Sequence, residues 1–194
     1  RTKMIFYNGV TAAEMIGPRG LRKNGIEKLK PIFTRGILID LEGALGRTLE
    51  AGYEVTVDDI KKTLKWQGMS AADLMPGDAL LLHTGWGRHW MVDNEQYASG
   101  EPGPGQAAAS WLARKQPVLV GMDNWSIDVM PNLNDPDIGV PAHVELLIKN
   151  GILLHENLKL AELAARKQYL FAYIFTPLPI RGATGSPGSP IAVY

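Results

Sequence analysis

Val140–Leu160 reads VPAHVELLIKNGILLHENLKL. Pro141 can open a helix, because the N–H it lacks is one that the first helical turn leaves unpaired anyway. Val144, Leu147 and Ile148 then fall at helical spacing. Asn150-Gly151 stops the helix, since glycine accepts the left-handed conformation. Ile152–Leu154 is a short β-prone run. The stretch therefore reads as helix, turn, strand. It puts His143 on the helix and Glu156 just past the strand, where the two can converge. A histidine and a carboxylate from two elements can bind a divalent metal; they can equally form an ordinary hydrogen-bonded pair. His155 directly precedes Glu156, and a strand points neighbours to opposite faces, so only one of them can share a site with His143. Glu156 is the better candidate, because a buried carboxylate closing an apolar run needs a cation or several donors.

Working outward, the same alternation continues in both directions. GILIDL (36–41), ALLLH (79–83) and VLVGM (118–122) read as buried strands, each a near-continuous apolar run. Between them, Thr56 caps a helix over 57–67 with Asp58 and Asp59 in its first turn and Ile60 and Leu64 on its apolar face. Gln106–Gln116 reads as a second helix. Residues 43–52, 92–105 and 131–141 read as loops. Near the start, Thr11–Glu14 forms a capping box for a short helix that Gly17-Pro18 ends. Downstream, 160–166 makes a short helix, YLFAYIFT (169–176) a central strand, and Ile191–Tyr194 a last strand. Strands separated by helices give an α/β fold with some antiparallel pairing among the later strands. No repeat or linker divides the chain, so residues 1–194 are read as one domain.

Composition narrows the function. Twenty Lys+Arg balance twenty Asp+Glu, which excludes the basic footprint of a nucleic-acid binder. No stretch approaches 18 consecutive apolar residues, so no membrane partner is expected. Cysteine is absent, which removes disulfides and thiol nucleophiles and leaves His, Asp and Glu as metal ligands. A cytoplasmic location is the default expectation. No phosphate-binding glycine loop and no G-x-S-x-G elbow occurs. His83 closes a buried strand, where it can be a ligand, a proton shuttle or a core histidine. Phe6, Tyr7, Trp86 and Trp125 are candidates for an aromatic, substrate-binding wall, or are packing residues.

Five segments together carry a resemblance: PIFTRGILIDL (31–41), PGDALLLHTGW (76–86), VLVGMDNWSID (118–128), PAHVELLIKNGILLHENLKL (141–160) and PLPIRGATGSPGSPIAVY (177–194). Their order and content resemble the metal-dependent cyclase-like hydrolase family, which includes bacterial kynurenine formamidase and isatin hydrolase. The resemblance covers nearly the whole chain, including FYNG at 6–9. It implies a swivelling β/β/α domain with a mixed central sheet flanked by helices. It implies hydrolysis of a small cyclic amide, lactone or aryl-formamide with a divalent metal, Zn²⁺ or Mn²⁺, and a homo-oligomer, dimer or tetramer. By resemblance, His143 and Glu156 are catalytic metal ligands, the later pair of the family's site. The family's H-x-G-T-H-x-D signature is absent from these 194 residues. It would fall just upstream of Arg1, so the expectation is a longer protein of which this is the C-terminal part. Without those ligands the alternative is a binding or assembly protein that keeps the fold.

Overall fold

The computed structural model describes residues 4–194. In chain order it contains α1 (Ala12–Met15), the small hairpin β1 (Ile16–Gly17) and β2 (Gly20–Leu21), β3 (Ile32–Asp40), α2 (Leu41–Leu45), β4 (Glu54–Val55) and α3 (Val57–Trp66). There follow β5 (Ala79–His83), α4 (Asn94–Ala98), β6 (Gly103–Pro104), α5 (Gln106–Ala113) and β7 (Leu119–Met122). A π-helix (His143–Lys149), β8 (Leu153–His155), α6 (Ala161–Ala165), β9 (Leu170–Phe175) and β10 (Ile191–Val193) complete it. The main sheet has six strands in the order β10-β9-β3-β5-β7-β8. β3, β5, β7 and β8 are parallel, while β9 and β10 run antiparallel.

The parallel strands lie side by side in chain order. Each crossover is then right-handed and steps the same way, which places all crossover helices on one face. The packing shows this. Ile37, Ile39, Leu80, Leu82, Val120 and Met122 face a core completed by Ile60 and Leu64 of α3, Leu112 of α5 and Leu146 of the π-helix. Thr56 caps α3 through the Asp59 N–H at 3.1 Å, and Asp59 returns the bond to Thr56 N at 2.9 Å. The alternate residues Leu38, Leu81 and Leu119 face a second core with Leu158, Leu160, Leu163, Phe171 and Tyr173.

That second face is concave. A flat sheet would hold β8 and β9 about 19 Å apart, with three strands between them. Instead the His155 ring of β8 lies 4.4 Å, centre to centre, from Phe175 of β9, and its Nδ1 is hydrogen-bonded to Tyr173 Oη. The sheet curls until β8 at one edge meets β9, next to the other edge, through side chains. Gly36 permits part of this: a Cβ there would stand 2.2 Å from the Phe171 ring.

Several expectations are corrected. The strand at 170–175 is next to the sheet edge rather than central, because β10 adds outside it. The loops expected at 43–52 and 92–105 contain α2, capped by Asp40 accepting from Gly43 N at 3.0 Å, and α4 with β6. The helix at 141–150 is not α-helical throughout. Its i→i+5 winding changes which residues face inward. Ala142, Glu145 and Leu146 are buried, whereas Leu147 and Ile148 are 38% and 43% exposed. Among the described residues no helix is long and apolar enough to cross a membrane.

Candidate functional site

His143 is the first residue of the π-helix and Glu156 the first residue after β8, so the turn at Asn150-Gly151 folds one toward the other. His143 Nε2 stands 3.7 Å from Glu156 Oε1, and both side chains are about one-third exposed (31% and 34%). The other imidazole nitrogen, Nδ1, is hydrogen-bonded to Oδ2 of Asp128. Asp128 is fully buried in the loop after β7. Its Oδ1 accepts the backbone N–H groups of Ala142 at 2.6 Å and His143 at 3.2 Å. Ser126 Oγ donates to its Oδ2 at 3.2 Å. A carboxylate held by four donors fixes the imidazole orientation and, at neutral imidazole, assigns the proton to Nδ1. Nε2 then presents a lone pair toward Glu156.

The electrostatics agree. The hydrogen bond to Asp128 raises the His143 pKa against the opposing effect of burial, with the charges of Asp128 and Glu156 adding to it. Burial raises the Glu156 carboxyl, which the neighbouring His143 charge partly offsets. Glu156 is thus a half-buried acid that gains from any cation placed beside it. A nitrogen lone pair and a carboxylate oxygen 3.7 Å apart are compatible with ligands each about 2.0–2.2 Å from one shared ion. The donor chemistry fits a divalent metal as half of a site. Among the described residues no three His, Cys, Asp or Glu side chains assemble in a way that could hold an ion.

The pair opens onto the concave face of the sheet. A groove of about 660 Å³ runs past His143, Leu147, His155, Glu156, Phe175 and Pro187. A second, of about 610 Å³, shares His155 and Glu156 and continues along Leu81, Phe171, Tyr173 and Tyr194. His155 packs against Phe175 and Tyr173 of the second core. Burial lowers its pKa to about 4, so it is neutral and hydrogen-bonds Tyr173.

The four aromatic candidates are not brought together at these grooves, and none lines either one. Trp86 is fully buried, with Nε1 donating to Tyr97 O at 3.3 Å; an indole at the buried turn after β5 is packing, not a wall. Tyr7 sits on the N-terminal arm against Gly151. Phe6 neighbours it there, half-buried, and Trp125 is 39% exposed on the loop that carries Asp128.

His83 belongs to a second polar cluster at the carboxyl ends of the parallel strands. Its Nδ1 is 2.8 Å from Asp40 Oδ1, and its Nε2 lies 3.7 Å from Glu42 Oε2 and 3.8 Å from Asp123 Oδ2. Asp123 is itself occupied by the backbone: Oδ1 accepts from Thr84 N and Oδ2 from Gly85 N, both at 2.9 Å. Burial works against a charged His83, but the Asp40 hydrogen bond and the charges of Asp123, Asp40 and Glu42 outweigh it and raise its pKa. This is a charge hub that ties together the ends of β3, β5 and β7.

Sequence reasoning missed Asp128 and Glu101. Asp128 stands 15 positions from His143, in a loop with another acid, Asp123, and no local spacing distinguishes them.

Comparison with known proteins places this geometry in a family. The family model Cyclase, described as "Putative cyclase", matches residues 11–129, more than half of the chain. The match includes Asp128 and stops short of His143 and Glu156. No curated protein matches the chain. A solved structure of a novel cyclase superposes with a TM-score of 0.83 at 32% identity, covering 98% of this chain and 64% of its own. An isatin hydrolase bound to the product analogue thioisatinate superposes with a TM-score of 0.67 at 23% identity, covering 83% of this chain and 60% of its own. A potential metal-dependent hydrolase with cyclase activity gives 0.58 at 20%, covering 83% and 65%. The last two are likenesses of fold. The chain spans less than two-thirds of the length of each of these proteins. On the family match, carried by a mixed sheet of the same architecture, the chain belongs to the Cyclase family.

Proposed function

We propose that this chain carries half of the metal centre of a hydrolase that opens a small cyclic amide or lactone, or cleaves an aryl-formamide. The observation that carries the reading is the Asp128–His143–Glu156 arrangement: a buried carboxylate orients an imidazole whose free nitrogen faces a second carboxylate 3.7 Å away. The likeness in fold to an isatin hydrolase and to a potential metal-dependent hydrolase supports it. Within the site, Asp128 holds the Nδ1 proton, His143 offers Nε2, and Glu156 offers a carboxylate raised by burial. A divalent ion, Zn²⁺ or Mn²⁺, bound by this pair would lower the pKa of bound water to about 7 and polarise a substrate carbonyl. No side-chain nucleophile is then needed, which suits a chain without cysteine. The grooves beside Glu156 are lined by Phe171, Tyr173 and Phe175, surfaces suited to a flat, partly apolar substrate. The reading requires further ligands beyond this pair, of the kind that an H-x-G-T-H-x-D segment would supply.

A second reading, a binding or assembly protein that keeps the fold, is favoured by one observation: the described residues bring together two metal donors, not three. The test is a hydrolysis screen of the full-length protein on formylkynurenine, isatin and simple lactones, with and without chelator. The hydrolase reading expects activity that chelator abolishes and Zn²⁺ or Mn²⁺ restores. Activity indifferent to chelation would refute the metal reading. Absence of any activity together with tight binding of one of these compounds would favour the second.

A further inference from the structure

Glu101 lies in the loop between α4 and β6, and its backbone is bonded in both directions to Met130, at 2.8 and 2.9 Å. Its side chain is fully buried. Oε2 accepts the backbone N–H of Ser126 at 3.0 Å. Oε1 is buried and has no hydrogen-bond partner among the described residues. No Lys or Arg among the described residues is hydrogen-bonded to it. The titratable groups that face it are Glu156 after β8, Asp128 on the loop after β7, and Tyr97 of α4. Two of these are carboxylates, and the third is a phenol whose own pKa is pushed up by burial.

An ionised carboxylate in such a place has one oxygen without a donor, no cation, and like charges nearby, each of which disfavours the charge. Burial pushes Glu101 up to about 8, against the backbone N–H groups of Ser126 and Trp125 and with the help of the Glu156 and Asp128 charges. Near neutrality it is an uncharged acid.

What it holds is specific. Ser126, whose N–H Glu101 accepts, donates its own Oγ–H to Asp128 Oδ2 at 3.2 Å. Asp128 N in turn reaches Ser126 Oγ at 3.3 Å. Asp128 then holds Ala142 through its N–H and His143 through two contacts, its N–H and Nδ1. A single chain of hydrogen bonds therefore runs from the buried acid to the imidazole. We propose that Glu101 is a positioning residue for this site: a neutral buried acid that clamps the 124–128 loop and thereby holds Asp128 against His143. The clamp itself stands on geometry; its consequence for metal affinity rests on the functional reading above.

The test compares Glu101→Gln, a neutral near-isostere that still accepts from Ser126, with Glu101→Ala, which removes the clamp. Two properties are read on the full-length protein near pH 7: exchange of the His143 Nδ1 proton by NMR, and affinity for Zn²⁺ or Mn²⁺ by calorimetry. The glutamine variant should match the unaltered protein within about twofold in both. The alanine variant should exchange that proton at least about tenfold faster and lose on the order of tenfold in metal affinity, as for loss of an outer-shell partner. The ¹³C shift of the Glu101 carboxyl should report the protonated form at pH 7. A glutamine variant as damaged as alanine, or an ionised carboxyl at pH 7, would overturn the neutral acid. Unchanged exchange in the alanine variant would overturn the clamp; if that variant does not fold, the glutamine comparison and the carboxyl shift still decide. A protein that binds neither metal would sink the functional reading, while the exchange data would judge Glu101 independently.

Discussion

Asparagine at position 128 alters one atom and reverses the two hydrogen bonds made to Oδ2, from His143 Nδ1 and from Ser126 Oγ. Asp128 Oδ1 accepts the backbone N–H groups of Ala142 and His143, so in Asp128→Asn the amide oxygen must stay on that side. The amide NH₂ then occupies the Oδ2 position and points at His143 Nδ1. Nδ1 can no longer donate, and the neutral imidazole must carry its proton on Nε2. That N–H faces Glu156 Oε1, 3.7 Å away, where a lone pair stood before. The imidazole keeps its place and loses its capacity as a ligand. Turning charge-assisted bonds, worth about 1.5–3 kcal/mol each, into neutral ones of about 0.5–1.5 kcal/mol also lowers stability by about 1–3 kcal/mol. Affinity for Zn²⁺ or Mn²⁺ should fall by about 10–100-fold, the usual cost of an altered outer-shell partner. Long-range ¹H–¹⁵N correlation of the imidazole reads the tautomer, and calorimetry on the full-length protein reads the affinity. An Asp128→Asn protein with an unprotonated Nε2 and unaltered metal affinity would refute the assignment of Asp128 as the orienting carboxylate.

Stability should depend on pH through two histidines of opposite sign. His155 has a folded pKa of about 4, below its ordinary value, so the unfolded chain binds more protons between the two; its contribution is complete above about pH 6.5 and is lost as pH falls toward 4. His83 is raised, so its contribution is complete below about pH 6.5 and is lost as pH rises through its folded pKa. Urea midpoints across this range should lose the acid limb in His155→Phe, whereas the alkaline limb should shrink in His83→Gln without vanishing, because His143 and Glu101 are raised too and act with the same sign; a limb of unaltered size in its variant contradicts the assignment. Gly151→Ala would place a Cβ 2.3 Å from Tyr7 Cζ at a φ of +65°, and should cost about 1–3 kcal/mol while hastening proteolysis of the N-terminal arm. Protease resistance equal to that of the parent would show that the arm does not depend on this contact. Trp86→Phe should lower the melting temperature without altering KM for any substrate found, because Trp86 lines neither groove; a shift in KM alone would restore it as a binding residue.

The scaffold was legible where a strand or cap is a local matter. ALLLH is β5 to the residue, and the Thr56 cap sets the start of α3, because continuous apolar runs and capping side chains act within a few positions. What was missed is not local. The π winding of 143–149 buries Glu145 and Leu146, whereas the helical spacing points to Val144, Leu147 and Ile148. His143 and Glu156 were readable as a pair because a short turn joins them. Asp128 and Glu101 reach the site from separate loops, and only the folded sheet brings those loops together. Trp86 looked like a pocket residue because its loop is polar and glycine-rich, yet Asp123 pulls that loop inward by accepting from Thr84 N and Gly85 N.

The winding of the element that begins at His143 makes its length, rather than its composition, the sensitive quantity. Its exposed residues, Leu147 and Ile148, can be exchanged without altering the count of residues between His143 and the start of β8. Loss of a single residue inside 144–149 is different. It would let the segment relax to i→i+4 winding, and one residue of an α-helix is a rotation of about 100°. His143 would then point away from Glu156 although every remaining side chain was intact. The exposed positions of this segment should therefore accept substitutions, while the segment as a whole rejects one-residue deletions.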